Sequence, residues 1–168
     1  DLVKGLKAVA NGSYEYQSTE GGLYKPTYAM MEGKSEKGWG QRTYAKYTNK
    51  QIETYLNYDL ELARIHRMNF MAGYSYLINV YDGFGSSRSG FDTDAFLYNN
   101  LAAGSDFRAG DVYSYKGEAK LASFFGRINY NLMGKYMLTA TLRRDGSSRF
   151  GTNHKWGTFP SVSLAWRI

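Results

Sequence analysis

Six stretches of the chain alternate apolar and polar residues with a period of two, the signature of β-strands with unlike faces. The first, Leu6 to Gln17, sets Leu6, Ala8, Ala10, Gly12, Tyr14 and Tyr16 against Lys7, Val9, Asn11, Ser13, Glu15 and Gln17. The second, Gln51 to Leu62, sets Ile52, Thr54, Leu56, Tyr58, Leu60 and Leu62 against Gln51, Glu53, Tyr55, Asn57, Asp59 and Glu61. The third, Arg67 to Val80, opposes Met68, Phe70, Ala72, Tyr74, Tyr76, Ile78 and Val80 to Arg67, Asn69, Met71, Gly73, Ser75, Leu77 and Asn79. The fourth, Ser123 to Leu132, opposes Phe124, Gly126, Ile128, Tyr130 and Leu132 to Ser123, Phe125, Arg127, Asn129 and Asn131. The fifth, Lys135 to Arg143, opposes Tyr136, Leu138, Ala140 and Leu142 to Lys135, Met137, Thr139, Thr141 and Arg143. The sixth, Ser161 to Ile168, opposes Val162, Leu164, Trp166 and Ile168 to Ser161, Ser163 and Arg167. Pro160 shares the apolar phase of the sixth and cannot donate to a ladder, so it is expected at the strand's start or at a bulge.

The connections alternate between long and short. Residues 18–50 and 81–120 separate strands by long stretches, while Ala63 to His66 and the region around Gly134 leave room only for tight turns. The expected fold is therefore all-β, an antiparallel meander of about six strands with all long connections at one end. Outer-membrane barrels have this asymmetry. Tyr130, Tyr136 and Trp166 fall near the tight turns on the apolar phase, and Tyr14, Tyr16, Tyr74 and Tyr76 toward the long connections. Two such levels of amphipathic rings match the aromatic girdles of a transmembrane barrel. A soluble sheet with one face on a core has the same alternation. Within 81–120, the run Asp92 to Ala103 is expected to form a short helix capped by Asp92 or Thr93, with Phe96, Leu97 and Leu101 on its buried side.

Composition narrows this picture. The mean hydropathy is −0.51 and no run approaches the ~20 apolar residues of a spanning helix. The 168 residues include 16 Tyr, 9 Phe and 19 Gly but only 2 Pro, a bias toward strands and turns. There is no cysteine, so disulfide and thiol chemistry are excluded. The net charge of +6 is scattered, with no dense basic run, which argues against a nucleic-acid partner. No signal-peptide pattern opens the chain, and it stops at Trp166-Arg167-Ile168 within a strand-like alternation, so a piece of a longer protein is expected. Such a piece would leave open edges at its first and last strands and would need neighbouring strands to be stable.

Candidate chemistry is sparse. His66 and His154 stand alone, without the second His or Cys of a metal site. Asp92 and Asp94 with Asn99 and Asn100 offer oxygen ligands, but the EF-hand pattern is missing and capping is the preferred reading. Ser86-Ser87 and Ser147-Ser148 lack a nucleophile elbow, and no phosphate-binding loop occurs. No acid–base or metal constellation supports an enzyme, and no cofactor is implied. The motif GSSR occurs at Gly85 to Arg88 and at Gly146 to Arg149, after Asp82-Gly83 and with Asp145-Gly146, and reads as turn chemistry, with Arg149 as a candidate clamp on its loop. Trp39, Phe91, Tyr98 and Tyr113 are candidate stacking residues for a sugar, although packing within the loops is the plainer role. Glu53, Asp59, Glu61, Asn69, Arg127, Asn129 and Arg143 are expected to line a lumen.

Three segments near the C-terminus, FGRINYN from Phe125, KYMLTATLRRDGSSRFG from Lys135 and KWGTFPSVSLAWRI from Lys155, resemble the SusC/RagA family of TonB-dependent outer-membrane transporters. GYSY at Gly73 to Tyr76 and DTDAFLYNNLAAG from Asp92 are similar less specifically. The resemblance implies part of the wall of a barrel of about 22 strands with a plugged lumen. It further implies the outer membrane of Bacteroidota-type bacteria, TonB-powered uptake of oligosaccharides or peptides, a SusD-like lipoprotein lid and contact with outer-membrane lipid. Residues 1–168 contain no recognisable plug, TonB box or closing strand. The alternative from strand count is a small self-contained barrel or an adhesin-like β-domain that binds a ligand without transporting it.

Overall fold

In the computed structural model, residues 4–29, 37–151 and 155–168 are described, so His154 lies outside them. Seven strands form: β1 (Leu6–Lys25), β2 (Trp39–Leu62), β3 (His66–Phe91), β4 (Gly104–Asp106), β5 (Val112–Leu132), β6 (Tyr136–Ser147) and β7 (Trp156–Trp166). They make one sheet in the order β1-β2-β3-β5-β6-β7, with β4 paired to β3. The six long strands are the expected meander, and the three-residue β4 is an addition to it.

The strands run much further than the alternation alone indicated. β1 continues to Lys25 and β2 begins at Trp39, inside the stretch read as the loop 18–50. β3 continues to Phe91 and β5 begins at Val112, inside 81–120. In β3 the alternation is hidden because Gly83, Gly85, Ser87 and Ser89 fill one phase and carry no apolar signal, and in 39–50 polar residues stand in both phases. Asp82-Gly83 accordingly lies within β3 and forms no turn. Asp145-Gly146 is likewise within β6, where Asp145 pairs with Ser123 and Gly146 with Ala122. The turn chemistry begins one residue later. Ser147 Oγ accepts from the Arg149 backbone N–H at 3.2 Å, and Ser148 exchanges hydrogen bonds with the Lys120 backbone. Pro160 sits inside β7 opposite Leu142, not at the strand's start. β7 is the last strand of this sheet, where a missing N–H need not interrupt a ladder.

The helix expected over Asp92 to Ala103 is replaced by two single 3-10 turns, Leu97–Asn99 and Leu101–Ala103. Leu97 has a φ of 50°, which interrupts any continuous right-handed helix. Phe96 and Leu97 are exposed rather than buried. Thr93 does act near the start, its Oγ1 accepting from the Ala95 N–H at 3.2 Å, but neither 3-10 turn has a side-chain cap.

The chain divides into two compact units. One comprises Asp1–Glu15, Asn49–Asn79 and Ala119–Ile168, and the other Tyr16–Thr48 and Val80–Glu118. Among the described residues the only buried hydrophobic side chains are Phe91 and Ala119. The accessible surface is 12094 Å². A folded soluble monomer of 19.0 kDa exposes about 8,400 Å². The sheet thus has no hydrophobic core of its own, and its apolar face must be covered by something else.

The tight turns carry local strain. Met133 and Gly134 both have positive φ, and the Lys135 N–H closes the turn onto the Leu132 carbonyl at 3.0 Å. Lys135 is an extra residue, so the ladder restarts with Leu132 opposite Tyr136 and apolar residues stay on one face. The β2–β3 turn places Ala63 and Arg64 at φ values of 52° and 60°, with Ile65 N–H bonding Leu62 O at 3.3 Å. The left-handed region costs a non-glycine residue about 1–2 kcal/mol. Arg64→Gly should therefore stabilise the barrel that contains this turn by about 1 kcal/mol, read as a higher midpoint in the heat-modifiable gel shift. An unchanged or lower midpoint would contradict the strain.

Candidate functional site: the two faces of the sheet

In the first unit, the β5–β6–β7 register settles which residues share a face. Gly126 pairs with Leu142, Ile128 with Ala140 and Tyr130 with Leu138. Those three β6 residues pair in turn with Pro160, Val162 and Leu164. Directly opposed residues project to the same side. One face is therefore a continuous apolar surface, on which Leu142, Val162 and Leu164 are 55%, 70% and 80% exposed. Leu56, Tyr58, Phe70 and Ala72 extend it across β2 and β3, around a shallow groove that also holds Ile128 and Ala140.

Rings close this band at both levels. Near the tight turns, Tyr136 and Trp166 stack with centroids 6.5 Å apart. Beside them the Tyr130 hydroxyl meets His66 Nδ1 at 2.7 Å and the two rings stack. His66 is thus an aromatic partner in this band. At the other level Phe124 contacts Tyr74 at 5.0 Å and Trp156 at 6.0 Å. The Arg144 guanidinium lies over Trp156 at 5.3 Å. Phe124, Trp156 and Arg144 were not foreseen as girdle members, although all three lie on the apolar phase and could have been counted there. From Tyr136 to Arg144 a strand rises about 27 Å. Tilted by about 40°, that is about 21 Å, close to the ~25 Å apolar band of an outer-membrane barrel.

The opposite face is polar and laterally bonded. Asn69 Nδ2 donates to Asn57 Oδ1 at 3.0 Å and to Asp59 Oδ1 at 2.7 Å. Asn129 Nδ2 donates to Asn69 Oδ1 at 3.3 Å, and Thr139 Oγ1 donates to Asn129 Oδ1 at 2.9 Å. One chain of hydrogen bonds thus crosses β2, β3, β5 and β6. It lines a hollow of about 440 Å³ with Glu61 and Arg67, which pair at 3.6 Å. Further along, Arg143 Nε bonds both oxygens of Asp145 at 2.8 and 3.0 Å, and its Nη2 reaches the buried Ser123 hydroxyl at 3.2 Å. Arg127 and Glu53 share a second hollow of about 410 Å³ with Arg143. The structure thus brings together the residues expected to line a lumen. The roles of Asn57, Thr139 and Ser123 as their partners depend on strand register.

The second unit is organised around Asp94. Its carboxylate accepts from the Thr27 backbone N–H at 3.0 Å, the Thr27 hydroxyl at 3.0 Å and the Tyr24 hydroxyl at 2.8 Å. Asp94 is therefore a latch between its loop and the end of β1, not a metal ligand or a helix cap. The Thr27 N–H, then the Tyr24 hydroxyl, hold its carboxyl below the ordinary 3.8. Burial, reinforced by the Asp94 hydrogen bond and charge, pushes Tyr24 up to about 12. Among the described residues no cluster of His, Cys, Asp or Glu fits a metal ion. Of the candidate stacking residues, Phe91 is buried edge-on against Tyr24 and has no free face. Trp39 is half-buried with the Lys25 ammonium 5.3 Å from its ring, and Tyr98 covers Gly22. Tyr113 keeps an exposed ring.

A sheet with a girdled apolar band on one face and bonded polar side chains on the other defines the wall of an outer-membrane β-barrel. No family model matches the chain. Curated relatives do: it is 33% identical to TonB-dependent receptor P3 of Formosa agariphila over all of its own length, and 40% identical to TonB-dependent receptor SusC of Bacteroides thetaiotaomicron over 48% of it. It spans 16% of the first and 8% of the second. The fold matches a solved structure of the RagAB peptide transporter with a TM-score of 0.86 at 23% identity, over 98% of this chain and 18% of that one. The chain is similar over its whole length to TonB-dependent outer-membrane receptors, with SusC among those it matches in part, and its fold is that of a segment of such a barrel wall.

The latch has a defined pH window. Asp94 is more acidic in the folded state, so its contribution is present above the ordinary carboxylate pKa and is lost as pH falls through the lowered value. Tyr24 is less acidic, so the neutral donor's contribution is full below pH 10 and is lost as pH rises toward about 12. Amide exchange at 97–103 in the full-length protein should be flat from about pH 5 to 9, after correction for intrinsic rate, and should rise in acid. Asp94→Asn should raise it across the whole range. Equal protection in that variant would remove the latch.

Proposed function

We propose that residues 1–168 supply six consecutive long strands to the wall of a TonB-dependent transporter that carries oligosaccharides or peptides across the outer membrane. On this reading the apolar face meets lipid, and the polar face meets a plug domain and the water-filled lumen. A SusD-like lipoprotein closes the extracellular side and TonB supplies the energy from the other. The observation that carries the reading is the exposed apolar band closed by aromatic rings at both levels, on a sheet with no core. A soluble domain would have to hide that face. A lipid-facing band also explains why Arg144 is placed over Trp156, where a charge can reach the headgroup level.

The test uses the full-length transporter in outer membranes. Spin labels at positions 138 and 164 should be accessible to oxygen and shielded from aqueous nickel, with the reverse at 127 and 139. Leu138→Arg should cost about 2–4 kcal/mol if that position lies near the bilayer midplane. Uptake of labelled oligosaccharides or peptides should stop when TonB is removed. Nickel-accessible labels at 138 and 164, or uptake indifferent to TonB, would refute the reading.

A further inference from the structure

Charge is sorted between the two faces of the first unit. Among the described residues, the carboxylates of its strands are Glu15, Glu53, Asp59, Glu61 and Asp145, and all of them fall on the polar phase. The apolar phase carries fixed charge of one sign, at Lys50, Lys120 and Arg144. All three stand at the end of the apolar band toward the long connections. In the second unit carboxylates return to this phase, at Glu20, Asp82 and Glu118. The single sign of charge therefore belongs to the rim of the band.

Two of these cations are seated on rings. Lys50 Nζ lies over Tyr14 at 5.9 Å, and the Arg144 guanidinium over Trp156 at 5.3 Å. A ring face attracts a cation but does not neutralise it. Neither Lys50 nor Arg144 has a carboxylate partner among the described residues. Both stand on interior strands, β2 between β1 and β3 and β6 between β5 and β7, so their neighbours within the sheet belong to this chain. The strands between them, β3 and β5, present Tyr74 and Phe124, whose rings touch at 5.0 Å. Three strand spacings, about 14 Å, separate the cations across this aromatic floor.

A cation at the border of hydrocarbon is costly unless an anion meets it. The outer leaflet of an outer membrane supplies one, because its lipid A carries phosphates where the acyl chains end. We propose that Lys50 and Arg144, with the Tyr74–Phe124 floor between them, form a binding site for the phosphorylated headgroup of lipid A. This rests on the reading of the apolar face as lipid-facing, with the long connections outside. The Arg144 guanidinium can hold a phosphate through two parallel hydrogen bonds, and Lys50 acts as a point charge. Below the rim, the groove around Ile128, Ala140 and Leu142 offers the acyl chains an apolar surface. A free anion would gain the charges without that surface, and a lipid stripped of phosphate would gain the surface without the charges.

The full-length protein, purified from outer membranes in detergent, is titrated with lipid A and with its enzymatically dephosphorylated form, and bound lipid is measured by native mass spectrometry. Lipid A should bind about tenfold or more tightly than the dephosphorylated form. Lys50→Gln and Arg144→Gln should each weaken lipid A about fivefold and leave the dephosphorylated lipid unaffected. Lys50→Arg keeps the charge and should bind as the unsubstituted protein does, as should Lys7→Gln on the polar phase. Inorganic phosphate should not displace the lipid. Heat-modifiable migration checks that each variant folds. If the glutamine variants do not fold, the comparison of the two lipids on the unsubstituted protein decides. Equal binding of the two lipids, binding indifferent to both glutamine substitutions, or displacement by inorganic phosphate overturns the inference. Equal binding together with lipid-shielded spin labels at 138 and 164 would overturn this inference alone. Labels at 138 and 164 that report water would overturn the lipid-facing reading beneath it.

Discussion

The structure depends on a sheet that must be stable without a core. With Phe91 and Ala119 the only buried apolar residues among those described, burial between layers cannot hold it together. What remains is the backbone ladder and the contacts between side chains on adjacent strands. In hydrocarbon an unpaired N–H or C=O costs several kcal/mol, so the ladder is the stronger of the two wherever lipid covers the sheet. The side chains then have to satisfy two different solvents at once. The strict period of two achieves this, and the extra residue in the Met133-Gly134-Lys135 turn preserves it between strands.

Each face solves its own problem laterally. On the polar side, Asn57, Asp59, Asn69, Asn129 and Thr139 bond one another across four strands. Glycine does the corresponding work for aromatic rings. Phe125 lies over Gly73 in the first unit, and Tyr113, Tyr115 and Tyr81 lie over Gly85, Gly83 and Gly117 in the second. A glycine inside a strand is ordinarily a weakness, but here it is the socket that lets a ring pack flat on the neighbouring backbone. The abundance of both Tyr and Gly is one structural fact rather than two.

This explains what was legible in the sequence. The six strands of the meander, their faces and the two tight turns followed from alternation alone, because Leu, Ile, Phe and Asn, Thr, Arg contrast sharply. The alternation is lost where glycine and serine take over a phase, as at Gly83, Gly85, Ser87 and Ser89, so those residues read as loop although β3 runs through them. Asp-Gly pairs were read as turns, but at Gly83 and Gly146 the glycine makes room for Tyr115 and Trp156. Which ring faces which glycine depends on register, and register is a property of two strands. The same limit hid the Asp94 latch, since its partners Tyr24 and Thr27 are nearly seventy residues away.

Strand length separates two kinds of work within one ladder. A transmembrane strand needs about 9–11 residues. β6 and β7, with 12 and 11, are close to that length, whereas β1, β2, β3 and β5 have 20, 24, 26 and 21. The four long strands therefore carry roughly as much chain beyond a bilayer as within it. In the second unit the chain covers part of its own sheet. Loop residues Tyr98 and Leu101 come down on Gly22 and Gly40, and Asp94 ties their loop to β1.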